Sequence, residues 1–339
     1  MTVIDQAPAA DAEAATPRAI RQRPERADHV FRSLTRGGGI IVLTVMILVG
    51  LFLTVNAVQA ISARGLVEFI TTQDWAPESN NFGIAAVLSG TVMIAIVALT
   101  LSLPLSLGTA LFITEIAPPR IRGILTSVID LMAAVPSVVF GLWGLAFLQV
   151  NIVQFSQWLS TWFGWIPIFR VDGADPANPL PNDALYTSST FIAGLVVGLM
   201  IVPIQTSIMT ESFSRAPIGE REGAFALGAT RWGMIRSVVL PFGRGGIIGG
   251  TMLGLGRALG ETIAIYLIIS PIFTINFHIL QNGSNSVAAL IALRYSESNE
   301  FTMSALMAAG LSLFLLTMAV NFTASAIISR SRSGAESEG

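Results

Sequence analysis

Six long apolar runs constrain this chain more than any other feature: residues 38–61, 83–114, 123–149, 190–212, 245–270 and 302–328. A helix crossing the hydrocarbon core of a bilayer needs roughly 20 residues, and each run reaches that length. In lipid, every backbone N–H and C=O must find its partner within the protein, so a span is either a helix or part of a closed barrel. Barrel strands alternate apolar and polar residues over about ten positions, whereas these runs are continuously apolar. The expected fold class is all-α: a polytopic membrane protein with six transmembrane helices. Charge agrees, since 12% of the residues are Asp, Glu, Lys or Arg, against about a quarter in a soluble domain.

Every basic residue is an arginine, 19 in all, and no lysine or cysteine occurs. Disulfides and thiolate metal sites are therefore excluded. With only His29 and His278, far apart in sequence, no metal centre is expected. If the N-terminus is cytoplasmic, alternation through six spans leaves fifteen arginines inside: Arg18, Arg21, Arg23, Arg26, Arg32, Arg36, Arg120, Arg122, Arg215, Arg221, Arg231, Arg236, Arg244, Arg330 and Arg332. Three fall outside (Arg64, Arg170 and Arg294), and Arg257 lies within a span. This positive-inside bias predicts a multi-pass protein of a bacterial cell (plasma) membrane with both termini cytoplasmic. The apolar stretch ending near Val58-Gln59-Ala60 reads as a span rather than a cleaved leader, because it is longer than an h-region and follows a long polar segment.

Residues 1–36 are rich in Ala, Pro, Arg and Asp and are expected to be a disordered cytoplasmic tail. Residues 37–329 form the transmembrane domain, and 330–339 a cytoplasmic C-terminal tail. Between spans three and four, Asn151 to Ser189 is read as external, its Trp158, Trp162 and Trp165 suited to the membrane–water boundary. The loop at 213–244 differs in kind, being too apolar for a solvated linker and too polar to span. Pro217 suits a first helical turn and Glu220 and Glu222 suit a helix N-terminus. Gly228 is placed to end that helix and Thr230 to cap a second through Trp232, Met234 and Ile235, stopping at Leu240-Pro241. A helix–elbow–helix at the inner membrane face is suited to docking a partner.

That loop reads Glu222-Gly223-Ala224, three residues, Gly228, nine residues, then Val238-Val239-Leu240-Pro241. It resembles the EAA loop of binding-protein-dependent ABC importer permeases, E-A-A, three residues, G, nine residues, I-x-L-P, departing at Gly223 and Val238. Further segments sharpen the resemblance to the PstC branch of phosphate permeases. They are Asn81-Phe82-Gly83 with Ser89-Gly90-Thr91, Val135-Pro136-Ser137 through Gly144, Phe225 through Trp232, and Gly256-Arg257-Ala258-Leu259-Gly260-Glu261-Thr262. Sulfate and molybdate permeases carry a similar Arg-Ala-Leu-Gly-Glu followed by Phe-Gly; Thr262-Ile263-Ala264 favours phosphate.

The resemblance implies a permease (MetI-like) core and a non-catalytic subunit of an ATP-driven phosphate importer. It implies that Glu222, Gly223, Ala224, Gly228 and Arg231 engage a cleft in a separate ATPase. With no lysine, a P-loop cannot form in this chain, so no cofactor is expected here, and ATP and Mg belong to the partner ATPase. The implied partners are a homologous permease (PstA-like), two ATPase subunits (PstB-like), an external phosphate-binding protein (PstS-like), phosphate and the lipid bilayer, with no nucleic acid. Rival readings are a permease for another oxyanion such as sulfate or molybdate, and an ion-gradient-driven carrier. The motif and the scarcity of intramembrane acids oppose the latter.

Inside the membrane, Arg257 falls near the middle of the fifth run, and Glu261 follows one helical turn later on the same face. A charge at bilayer depth costs at least ~2.5–3.5 kcal/mol, so something must offset it. Two roles are open. The pair locks helix packing by itself, or Arg257 offers its fork of donors to a phosphate oxyanion while Glu261 orients it and tempers its field. Ser137, beside Pro136, is a candidate donor to a passing anion.

Overall fold

The computed structural model of the protein describes residues 26–174 and 182–332. Most of the expected N-terminal tail (with Arg18, Arg21 and Arg23) and residues 333–339 of the C-terminal one lie outside the described residues. Residues up to Val49 make one unit, and those from Gly50 a second. In the first, helix α1 (Arg26–Arg64) has already begun at Arg26, inside the segment expected to be a disordered tail. Its apolar side chains, Ile40, Val42 and Ile47 among them, are exposed. A helix with exposed apolar side chains along its length is suited to lipid.

In the second unit, α1 runs on to Arg64 and buries only Ala57 and Ala60. There follow α2 (Leu66–Thr71), a two-residue hairpin β1 (Trp75–Ala76) and β2 (Asn81–Phe82) in antiparallel register, and α3 (Ala85–Leu111). A π-turn at Phe112–Ile116 prolongs α3, giving one apolar helix over Ala85–Ile116. The third run is not one rod: α4 (Pro119–Ala133) and α5 (Ser137–Asn151) meet at 87°. Pro136, preceding α5, lacks the N–H that a continuous helix would use, and its ring biases Val135 away from helical geometry. After α6 (Val153–Phe163) come α7 (Thr190–Ser214), α8 (Ile218–Ala226) and α9 (Arg231–Phe242). Helix α10 (Arg244–Gly260) leaves α9 at 66°, and α11 (Ile263–Ile268), α12 (Val287–Arg294) and α13 (Glu300–Arg332) complete the order. Among the described residues four helices are long and apolar enough to cross a membrane, and the spans number up to six if each bent pair is one span. Helix α13 continues to Arg332, past the tail boundary expected at 330.

Small residues set the packing. Helix α3 lies along α7 because a Cβ at Gly194 or Gly198 would run into Val97 or the Ala98 carbonyl, so only glycine allows this approach. Ile94, Ala98, Ile192, Val196, Ile201, Ala258 and Ile268 form the central cluster. Loops meet at one end. The Phe191 N–H donates to Ile279 O at 2.8 Å, Asn282 N–H to Leu185 O at 2.7 Å and Ile275 N–H to Gln73 Oε1 at 2.9 Å. The other end is closed by Ala110, Met209, Phe213, Met234, Ile235 and Val239, gathered from α3, α7 and α9.

The stretch 261–299, read as the end of span five plus a loop, is instead folded into the protein. Helix α11 packs on α5, and Val287, Ala289 and Leu290 of α12 are buried. Irregular backbone of this kind is tolerated at membrane depth only where protein covers it.

Candidate functional site

The segment 213–244 folds as the residue pattern suggests, with two adjustments. Pro217 is the N-cap of α8 rather than its first helical residue, and Glu220 sits in the first turn. Gly228 follows the helix at φ 84°, the left-handed cap that a side chain disfavours. Its N–H donates to Phe225 O, and the Ala229 N–H to Ala224 O, which closes the last turn. Thr230 Oγ1 accepts from Gly233 N–H at 3.1 Å and starts α9. The second helix does not stop at Leu240-Pro241. A π-turn at Ile235–Val239 precedes Pro241, which carries no donor to satisfy, and the helix ends at Phe242.

Within this elbow Glu222, Gly223, Gly228 and Arg231 are exposed, while Ala224 is half-buried and turns toward the Met209–Phe213–Met234 cluster. Ile218, Phe225, Leu227 and Trp232 also point outward, Leu227 being 92% exposed. No composition argument singled these out. Nor was Arg221 anticipated: its Nη1 lies 3.1 Å from Glu115 Oε1, and its Nη2 donates to Phe213 O at 2.6 Å.

Inside the bundle the expected pair does not form. Helix α10 ends at Gly260, Glu261 is extended at φ −66°, ψ 128°, and the helical spacing of four no longer applies. Glu261 Oε1 accepts instead from Ala264 N–H at 3.1 Å, capping α11, and the residue is 8% exposed. Arg257 is on the last turn of α10 with an exposed side chain. Among the described residues it has neither an ion-pair nor a hydrogen-bond partner. Of the two roles left open, the self-contained ion pair is therefore not what the fold contains. Ser137 opens α5, half-buried, just after the 87° bend. Helix α5 packs on α11, where a Cβ at Gly141 would press on Ala264. The two broken elements thus meet beside the Glu261 cap.

A buried polar group went unread in the sequence. Ser106 Oγ donates to Gln205 Oε1 at 3.0 Å, and Ser102, Ser106, Gln205 and Thr206 are all fully buried between α3 and α7. Gln205 Nε2 has no hydrogen-bond partner among the described residues and lies against Gly254 of α10. The available signal was an amide in the middle of the 190–212 run.

Comparison with known proteins accords with this architecture. The family described as "Binding-protein-dependent transport system inner membrane component" matches residues 102–333. The phosphate transport system permease protein PstC 2 of Mycobacterium tuberculosis (strain H37Rv) is 36% identical over 313 residues, covering 91% of this chain and 94% of its own. PstC of Xylella fastidiosa (strain Temecula1) is 34% identical over 309 residues, covering 91% and 92%. Among solved structures, a bacterial alginate ABC transporter in complex with its pentasaccharide-bound periplasmic protein aligns at a TM-score of 0.59, with 16% identity over 90% of this chain and 95% of that one. The inward-facing MetNI methionine ABC transporter aligns at 0.51, with 12% identity over 73% and 95%. At such identities these two speak for the fold alone. The chain belongs to the binding-protein-dependent transport system inner membrane components, in the branch that contains the PstC permease proteins.

Proposed function

We propose that this chain is the permease subunit of an ATP-driven phosphate importer, forming half of the translocation pathway and coupling to a separate ATPase through residues 213–244. The elbow carries the reading. Ile218, Phe225, Leu227 and Trp232 give it an outward apolar patch beside Glu222 and Arg231. Exposed apolar groups clustered among polar ones mark a protein-binding surface. Phosphate as cargo is supported by the relatives' names, and the arginine distribution supports a cytoplasmic elbow and cytoplasmic termini. ATP and Mg then belong to the partner ATPase, and this chain performs no chemistry. A companion permease (PstA-like), two ATPases (PstB-like) and an external binding protein (PstS-like) complete the transporter.

Arg257 is the residue we assign to the anion. An arginine with no partner among the described residues, on a helix continuous with the apolar core, supplies a planar fork matched to phosphate oxygens. With no carboxylate partner among the described residues, its donors are free for cargo. Ser137 and Glu261 complete the proposed pathway near the α5–α11 contact, Glu261 through the geometry of α11.

The test is reconstitution of the four-component transporter in proteoliposomes. ATP-dependent uptake of radiolabelled phosphate that excess sulfate and molybdate leave unaffected is the expected result; uptake of either competitor in place of phosphate would refute the cargo. Arg257→Gln should abolish uptake while the ATPase still co-purifies, since Gln is tolerable at depth. Arg257→Lys, which keeps charge without the fork, should also be impaired. Normal uptake by Arg257→Gln would remove that residue from the pathway.

A further inference from the structure

Helix α8 is nine residues long and buries none of them fully. Isolated helices shorter than about 12 residues are marginal, so its place must be set from outside; Ala224 packs inward, and Arg221 is the charged side chain that reaches in. Its Nη1 stands 3.1 Å from Glu115 Oε1 and 3.3 Å from Oε2, while Nη2 donates to Phe213 O at 2.6 Å. One guanidinium thus holds the π-turn at the end of α3 and the last turn of α7 at once. The Glu115 side chain is 4% exposed and that of Arg221 20%, so solvent screens the pair little. On the far side of the π-turn, Arg122 Nη2 donates to Thr114 O at 2.8 Å, tying in α4.

We propose that Arg221 is a positioning residue for coupling, which hangs α8 from α3 and α7 so that a displacement of the elbow moves those helices instead of being absorbed in the loop. The inference rests on the reading of α8 as the ATPase contact. The physical reason is the cost of separation: a carboxylate this buried cannot be left unpaired without a large penalty. The elbow and the ends of α3 and α7 therefore travel together. Helix α7 packs along α10, which carries Arg257, so the displacement has a contiguous route to the proposed anion site. Neither a carbonyl nor a carboxylate alone would do this. The fork is needed because it engages both with fixed geometry.

The complete transporter in proteoliposomes provides the test, read as phosphate imported per ATP hydrolysed. Arg221→Gln and Glu115→Gln should each lower that ratio by about 2- to 30-fold, the range for changes along a coupling network, with the ATPase still co-purifying. The double variant should fall no further than the worse single one, because both break the same tie. Arg221→Lys, a single point charge, should fall between. An unchanged ratio in Arg221→Gln overturns the proposal. Equal proportional losses of hydrolysis and uptake overturn it too, since they report less assembled complex and not a lost tie. If the single variants do not assemble, Glu115→Cys with Arg221→Cys serves instead, because the chain has no other cysteine. Bridging the two with a bifunctional thiol reagent should restore the ratio; a bridged, assembled complex that stays uncoupled, or a cysteine pair that fails to assemble, counts against the proposal. Absence of ATP-driven phosphate uptake by the unmodified complex would refute the underlying function instead.

Discussion

The carboxylate of Glu261 accepts the Ala264 N–H at the start of α11, at a point where the chain leaves α10 and its side chain is nearly buried. Two substitutions should therefore behave differently. In Glu261→Gln the amide oxygen can still accept that bond, so the complex should assemble normally. In Glu261→Leu the cap is lost, which costs about 0.5–2 kcal/mol, and the thermal midpoint of the purified complex should drop. Equally lowered midpoints for the two variants would show that the carboxylate is needed for charge and not for capping. Arg257, with no partner among the described residues, should show the opposite profile, with uptake lost and the midpoint retained. Gln205 belongs to a third kind: its Nε2 is unbonded in a fully buried place, and Gln205 is held there by Ser106 and the missing side chain of Gly254.

At the scale of single elements, the elbow allows two glycines to be separated. Gly228 has φ 84°, where a side chain costs about 1–2 kcal/mol, so Gly228→Leu should disturb the elbow itself as well as any docking. Gly223 is helical, and apart from its chain neighbours and its own helix backbone nothing among the described residues lies within 4 Å of the point where a Cβ would stand. Gly223→Leu should therefore leave the permease folded, abolish uptake and weaken ATPase co-purification, whereas Gly228→Asn, which tolerates left-handed backbone, should keep most uptake. Uptake at the unmodified rate by Gly223→Leu would place the docking face elsewhere. The packing of α3 offers a parallel case, because a Cβ on Gly90 would strike the Asn285 carbonyl oxygen in the segment leading to α12. Gly90→Ala has to push backbone from backbone, at about 1–3 kcal/mol, and should lower the amount of folded protein recovered from membranes.

Across the whole molecule, the two ends can be distinguished by labelling, and burial decides which positions report. Ser189 is 0% exposed and caps α7 through Ile192 N–H, so a cysteine there would be silent whatever its side. Ser79, exposed beside the β1–β2 hairpin, and Ser214, exposed at the end of α7, are better probes. In intact cells Ser79→Cys should react with an impermeant thiol reagent and Ser214→Cys should react only after the membrane is opened. The reverse pattern would invert the proposed orientation. The end that carries Ser79 is bound together by hydrogen bonds between distant loops, such as Ile275 N–H to Gln73 Oε1. It should therefore resist proteolysis better than its loop composition suggests.

Some properties of this chain follow from chemistry local to a segment. A helix in lipid satisfies its own backbone, so the six apolar runs could be read without knowing their neighbours. Caps and left-handed turns act over four or five residues, so the elbow at Gly228 and Thr230 was visible in the spacing alone. The elbow motif was likewise complete within twenty contiguous positions, Glu222 to Pro241. Other properties exist only because helices cross. Arg221 meets a carboxylate 106 residues away, and Gln205 meets Ser106 and Gly254 on two other helices. Nothing in the spacing of Arg257 and Glu261 showed that the helix would break between them. That break is compensated by the packing of α11 on α5 and by a side-chain cap, both long-range or conformation-dependent gains that a four-residue spacing rule does not contain. Periodicity reports which residues could share a face; only the packed bundle decides whether the face survives and what it touches.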